Sequence, residues 1–473
     1  MTDQPLSSAS DFSINRLQSR QQGSVRGVAA GSRRNELYLK LLIVSLFLPE
    51  GLSAFIGDYR LSPARIVLIP LSLVAAVHML RRLNTLSFVL VPSDIIALLA
   101  GIWMVLASVV ASGFADGLKS GGALALEFTG AYYVFRSFLG PVDSSVRVVK
   151  VACKLMIVVV AVALLDPLTR QLFTYELVKA ITGYTKEAYE FAKAASTDTI
   201  YRNGLVRAMG PFEHSILFGT ACVWFGTLAI YVFSSTLFRW SSAVVAFVGV
   251  FFSQSQGSLL CFIMAFALMT FYLLTRQIAA RWKVLGALVA FAILFICLFS
   301  ANPLATLLRL GAIKEETGWY RQAIWEAGIP VVAQSPIFGI GLTTWDWQAS
   351  NALAGDSVDA FWLAAAMMFG IPGSVLIFLT LASAFSLGAI DKSHYLSREE
   401  ARLSVALGVV MVIAIFQGFT VHLWGACWIL LGIFAGMRAN LAEAAILRER
   451  AVRTRDQWAL RGSRPVAIRG AFS

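Results

Sequence analysis

Few side chains in this sequence are equipped for chemistry, and they gather in two stretches. The first runs from Tyr201 to His214 and carries Arg202, Arg207, a Gly210-Pro211 turn and the pair Glu213-His214 directly ahead of an apolar run. An arginine fork matches phosphate oxygens bidentately and a helix N-terminus adds a favourable dipole, so this stretch predicts an anion site. The blander alternative gives Arg202 and Arg207 to lipid headgroups, Glu213 to the start of a helix, and His214 to a backbone hydrogen bond. The second stretch holds Trp319, Tyr320, Arg321, Trp325 and Glu326, then Ser335-Pro336 with Gly339 and Gly341, and ends on Asp356, Ser357 and Asp359. On a helix Arg321 and Trp325 stand one turn apart, and aromatic faces beside arginine suit a sugar attached to a phosphate. An interfacial aromatic belt is the simpler account of Trp345 and Trp347. Turn geometry is the simpler account of Pro336, Gly339 and Gly341.

Other chemistries lack their residues. The chain has no phosphate loop of the GxxxxGK[ST] type, no HExxH, no paired CxxC and no DxD for a divalent ion and nucleotide-sugar. The five cysteines, Cys153, Cys222, Cys261, Cys297 and Cys427, fall inside apolar runs and suggest free buried thiols. Glu127, Arg136 and Lys154 are the main charges within those runs, with His78 near one end; a proton-coupled transporter would place more charge at midplane.

The elements that must carry these residues are membrane helices. Of 473 residues 58% are hydrophobic and 14% charged, with mean hydropathy +0.72. Soluble domains are nearer 25% charged, so a soluble core is excluded. A soluble nucleic-acid binder is excluded with it, despite a net charge of +12. Apolar runs long enough to cross a bilayer recur at 38–57, 63–80, 93–112, 121–138, 148–166, 213–233, 238–254, 257–275, 284–301, 370–390, 402–419 and 421–437. The expected fold is therefore all-α, a polytopic membrane protein of about twelve helices. Its divisions are a disordered tail 1–37, a membrane region 38–437 and a basic tail 438–473, in which 441–450 extends the last helix. About 25 of the 39 Lys and Arg, among them Arg16, Arg20, Arg26, Arg81, Arg82, Arg147 and Arg276, lie on the side that holds both tails. That side is expected to be cytoplasmic. The two long opposite loops, 167–212 and 302–356, are then periplasmic and bear short helices; Phe173, Leu177, Ile181 and Tyr184 have the spacing of a helix lying in the interface.

In order along the chain, Arg207-x-x-Gly210-Pro211-Phe212-x-His214, Ser253-Gln254-Ser255-Gln256-Gly257, Arg321-x-x-x-Trp325 with Ser335-Pro336-x-x-Gly339-x-Gly341, and Asp356 to Asp359 ahead of Phe369-Gly370-Ile371-Pro372-Gly373 resemble the bacterial O-antigen ligase and polysaccharide polymerase family. Leu61 to Arg65 and Glu127 to Tyr132 are similar to segments of its exopolysaccharide polymerases. The chain departs from the pattern at Gln256, where the family often has arginine, and at Ser215, where it has proline. Asp359 stands where ligases carry histidine, which favours a polymerase.

The resemblance implies glycosyl transfer at the outer face of the bacterial inner membrane, from a polyprenyl-diphosphate-linked oligosaccharide, without metal, nucleotide or other cofactor. Negative charge then grows on the leaving diphosphate, and arginines must meet it. Arg207 and Arg321 are the expected pair, with Arg202 in support. Asp359 is the first choice of general base, with His214 or Glu213 behind it. Tyr320 and Trp325 are expected to contact sugar. A flippase and a chain-length regulator are the partners the family implies. The alternatives are a ligase that moves finished glycan to a lipid acceptor, and a transporter of lipid-linked sugars.

Overall fold

The computed structural model describes residues 33–57, 59–84, 88–139, 143–275, 277–278, 280–311, 315–342, 358–386 and 395–462. Trp345, Trp347, Asp356, Ser357, Arg16, Arg20, Arg26, Arg276 and most of both tails lie outside them.

The first helix, α1, covers 33–46 and stops short of Pro49, whose ring disfavours helix in the residue before it. The run expected at 38–57 is therefore helical only in its first half. Its second half forms a hairpin of β1 (Ala54–Ile56) and β2 (Tyr59–Leu61), with Phe55 opposite Arg60. Then come α2 (Pro63–Asn84), α3 (Pro92–Ser112) and α4 (Phe114–Ala125). A π-helical turn, Leu126–Gly130, joins α4 to α5 (Ala131–Phe138). α6 (Asp143–Ala163) leads through the short α7 (Leu165–Thr169) into the first long loop. That loop folds as α8 (Phe173–Thr182), α9 (Glu187–Ala194) and a hairpin of β3 (Tyr201–Arg202) and β4 (Leu205–Val206).

The second half begins with α10 (Ser215–Val232), α11 (Thr236–Ser253), α12 (Gln256–Leu274) and α13 (Arg281–Phe299). The second loop carries α14 (Pro303–Leu310) and α15 (Glu315–Gln334). The chain closes with α16 (Phe361–Ser386), α17 (Arg398–Gln417) and α18 (Gly425–Gly462). Among the described residues nine helices are long and apolar enough to cross a membrane. The other three expected runs also meet helix, at α1, in the interrupted helix 114–138 and in α17. The fold is all-α, with two small hairpins.

Two boundaries differ from expectation. The run expected from 370 begins at Phe361 and bends at Gly370 (φ 71, ψ 173). The last helix runs through 441–450 as expected and goes further, to Gly462. The centre of the bundle is α10 and α18, each with 89% of its apolar window buried, while α13 buries none of its residues. Cys297 on α13 is consequently exposed, unlike the other four cysteines, and departs from the expected buried thiol. Along α18, Gly432 and Gly436 let α5 and the π turn approach: a Cβ at either would stand 2.2 or 2.3 Å from the carbonyl oxygen of Phe128 or Tyr132.

Charge is segregated to the two ends of the bundle. At one, Arg136 is fully buried against Asp94 (2.8 Å) and Glu443, and Glu443 also accepts from Arg82 (3.1 Å). Gly425 and Glu443 stand about 27 Å apart along α18 at 1.5 Å per residue. The second charged group therefore lies at the far end, where α10 and α18 begin.

Candidate active site

Ser253–Gly257, the turn between α11 and α12, is the point at which both long loops meet. Gln254 caps α11 in the left-handed region (φ 50), which turns the last carbonyls outward; helix ends leave such carbonyls without partners. Arg207 takes up the first of them, donating from Nε to Ser253 O at 3.0 Å, and Arg202 the next, donating to Gln254 O at 3.0 Å. Ala208 N donates to Phe252 O at 2.9 Å, so the segment after β4 runs along the end of α11. From the other loop, Thr317 donates to Gln256 Oε1 at 2.9 Å, and Arg321 lies over Gly257, where a Cβ would come within 3.4 Å of its Nη2. Ser255 caps α12 by accepting from Ser258 N at 3.3 Å. Gln256, a departure from the resembled pattern, thus anchors the second loop without a charge.

Arg207 and Arg321 are 2% and 6% exposed. Arg207 Nη1 donates to Asp198 O at 3.1 Å, while its Nη2 is buried with no hydrogen-bond partner. Arg321 Nη1 donates to Gly311 O at 2.6 Å. Burial pushes both guanidiniums below the usual arginine range, and at Arg207 the charge of Arg202 adds to it. Asp359 pulls the other way at both, so its carboxylate lies within electrostatic reach of each arginine. At Arg207 the exposed carboxylate of Asp198 pulls the same way as Asp359, but Asp198 also faces Arg202 at 3.8 Å, so three arginines share two carboxylates and a bound anion would relieve the cost of the buried charge.

Asp359 is held by its neighbours. Phe361 N donates to Val421 O (3.1 Å) and Trp362 N to Gly418 O (3.1 Å), tying the start of α16 to the link between α17 and α18. The bend at Gly370 is filled by the Ser335–Gly341 segment: Ile371 N donates to Pro336 O and Ile340 N to Met367 O, each at 2.8 Å. A Cβ at Gly370 would lie 1.9 Å from Ile337 O. The expected turn residues therefore fix α15, and Arg321 with it, against α16.

His214 caps α10, its Nδ1 accepting from Ile216 N at 3.1 Å. That hydrogen bond places the ring proton on Nε2, so the neutral ring has a donor to offer and no free acceptor. Burial, with Arg207 next among the causes, pushes the ring down to about 3 and keeps it neutral. Its edge meets Trp424, which stacks on His422 with centroids 5.3 Å apart. Glu213 faces the other way. It accepts from Trp424 Nε1 at 2.9 Å, lies 4.0 Å from Lys186, and is raised to about 7 by burial and by the charge of Glu50.

The structure thus brings Arg207, Arg321, Asp359 and His214 into one electrostatic neighbourhood, with Arg202 at its edge. The aromatic residues go elsewhere. Instead of pairing with Arg321, Trp325 donates to Phe419 O at 3.1 Å and stacks on the Phe419 ring. Tyr320 is 38% exposed, and the stacked cation is Arg309, 3.8 Å over Trp319. Sequence reasoning missed Asp166, whose buried carboxylate accepts from the backbone N–H of Phe173, Met209 and Gly210 (2.9, 2.9 and 2.8 Å) and so holds the turn before His214. A carboxylate beside Pro167 at the end of an apolar run was the available signal. Among the described residues no group of three or more His, Cys, Asp or Glu could hold a metal ion.

A helical membrane protein with two buried arginines gathered at one end by its two long loops is the class that fold and site define. Residues 241–378, which include the Ser253–Gly257 turn, Arg321 and Asp359, match the family described as O-Antigen ligase. No curated protein matches the chain. The match supports O-antigen ligase or polymerase-type function in polysaccharide assembly; the family itself is membrane-glycosyltransferase-like.

Proposed function

We propose that this protein polymerises polyprenyl-diphosphate-linked oligosaccharide units into exopolysaccharide or O-antigen at the periplasmic face of the bacterial inner membrane. The observation that carries the reading is the pair of buried arginines from different loops on either side of one turn, with a guanidinium nitrogen of Arg207 unsatisfied by protein. In this reading an acceptor hydroxyl attacks the anomeric carbon of the donor sugar. The bond from that carbon to the diphosphate breaks, and its electron pair leaves on the diphosphate. Arg207 and Arg321 stabilise that charge, with Arg202 at the rim. The hydroxyl proton passes to Asp359, and His214 Nε2 donates a hydrogen bond to the substrate. Tyr320 and Trp319, the exposed aromatic residues of α15, meet glycan further out.

Both termini are cytoplasmic in this arrangement. Residues 38–437 form the working unit, 1–37 and 438–473 are tails, and a flippase and a chain-length regulator act beside it. The chemistry asks for no metal. The description of the matched family favours one second reading, a ligase that passes finished glycan to a lipid acceptor. Lipid-linked glycans from a deletion strain separate the two: loss of a polymerase leaves single units on the carrier, loss of a ligase leaves long chains. Complementation with Arg207→Ala or Arg321→Ala should leave the protein in the membrane with single units accumulating; normal polymer from either variant overturns the assigned roles. Asp359→Asn should slow transfer by roughly 10²–10⁴-fold, the usual worth of a general base.

A further inference from the structure

Behind Glu213, on the side away from the arginines, lies a cavity of about 240 Å³ between the starts of α2 and α18, the β1–β2 hairpin and the π turn. The proposed chemistry does not use it. Its lining carries charge of both signs with the acidic side in excess by one: Glu50, Glu127 and Glu213 against Arg60 and Arg65, with Trp424 on one wall. The charges are paired in part, Arg60 to Glu50 at 2.8 Å and Arg65 to Glu127 at 2.7 Å. Among the described residues, however, Oε2 of Glu127 and Oε1 of Glu213 accept no hydrogen bond, although Glu127 is only 4% exposed. The π turn makes this possible. An extra residue in the helical turn changes which face the following side chains present, and Glu127 in that turn reaches Arg65 on α2.

We propose that this cavity binds one uncharged sugar ring of the acceptor glycan. Carboxylate oxygens accept from ring hydroxyls and arginine forks donate to ring oxygens, so opposed carboxylates and guanidiniums suit a polyol. A diphosphate would meet three carboxylates here and is disfavoured, which separates this chamber from the arginine pair. A volume of about 240 Å³ gives room for a sugar ring. Glu213 and His214 are consecutive and face the two chambers, so a ring held behind Glu213 is next to the arginine site. The naming of the ring as acceptor rests on the proposed polymerase reading; the pocket does not.

The test uses full-length protein in lipid nanodiscs and, as probe, the mono- and disaccharides of a partial acid hydrolysate of the host's own surface polysaccharide, with binding read by saturation-transfer NMR. Wild-type protein should bind at least one component. Glu127→Gln, which keeps side-chain shape, should weaken that binding about tenfold. Glu50→Gln should weaken it too, and Ser62→Leu, which fills the cavity, should remove it. Arg207→Ala should leave it unchanged while losing transfer. No bound sugar with wild-type protein, or binding unaltered in all three cavity variants, overturns the proposal. Binding that follows the cavity variants in a host whose deletion strain still polymerises normally keeps the pocket and defeats the polymerase reading alone.

Discussion

Arg207 and Ser253 are joined side chain to main chain, the guanidinium Nε donating to the last carbonyl of α11 at 3.0 Å. A residue of the first long loop thereby completes a helix in the second half of the chain. Two of its donors are committed to backbone, to Ser253 and Asp198, which fixes the direction of the third.

Arg207→Lys should therefore fail almost as completely as Arg207→Ala. A lysine ammonium is a single point of charge and cannot span the Ser253 and Asp198 carbonyls while presenting a further donor. Loss of one preorganised donor to a developing negative charge typically costs about 10²–10³-fold in turnover. Lipid-linked glycan profiles of complemented deletion strains check this, and polymer near wild-type level from the lysine variant would contradict it.

Asp166→Ala should destabilise the protein rather than its chemistry. It strands three backbone N–H groups, at Phe173, Met209 and Gly210. At roughly 1–3 kcal/mol for each buried donor left unpaired, the loss is about 3 kcal/mol or more. Thermal unfolding in detergent should show a clearly lowered midpoint.

Gly370→Ala and Gly286→Ala make a matched pair. At Gly370 the backbone is left-handed and a Cβ would strike Ile337 O, so the alanine variant should fail to accumulate. At Gly286 on α13 nothing lies within 4 Å of the new methyl, and accumulation should equal wild type. Membrane yield and size-exclusion profiles of the two report the difference.

The carboxyl of Glu213 titrates near 7 in the folded protein, against about 4.3 for a free glutamate. Its folded pKa is the higher, so between those values the folded state holds more protons than the unfolded one. Its contribution to stability falls as pH rises from about 4.3 to about 7 and is constant above. Glu213→Gln removes that dependence: the melting temperature of the variant relative to wild type should rise across pH 5–7 and level off beyond. A constant difference across that range would disprove the assignment.

The helical spans were legible because a bilayer imposes one rule, apolar length, that sequence displays directly. Residues 38–57 broke it: the run is apolar enough, but Pro49 ends the helix and the remainder turns back as a hairpin. Among the candidate site residues, Arg207 and Arg321 could be found from type and position, since cations outside the positive side need a reason, whereas Asp359 was found only through the resemblance. Their convergence could not, because it depends on the Ser253–Gly257 turn, whose carbonyls take donors from the first loop while the Gln256 side chain takes Thr317 from the second. Trp325 shows the opposite failure. Its spacing from Arg321 suggested a pair, and tertiary packing against Phe419 took the ring away. Asp166 was signalled only by its place beside Pro167 at the end of an apolar run, because its partners are backbone amides, which residue types do not record.

The isolation of α13 bears on what its sequence encodes. None of its residues is buried, and the ring of Trp282, at its first turn, meets Phe271 and Tyr272 of α12. Beyond that anchor and its junction with α14, few of its side chains are even half-covered by the described residues, so packing places little demand on the order of its leucines, valines and phenylalanines. The segment is spelled in a one-letter alphabet of greasiness. Any apolar residue serves there, while at Gly432 even a methyl group would strike the carbonyl oxygen of Phe128.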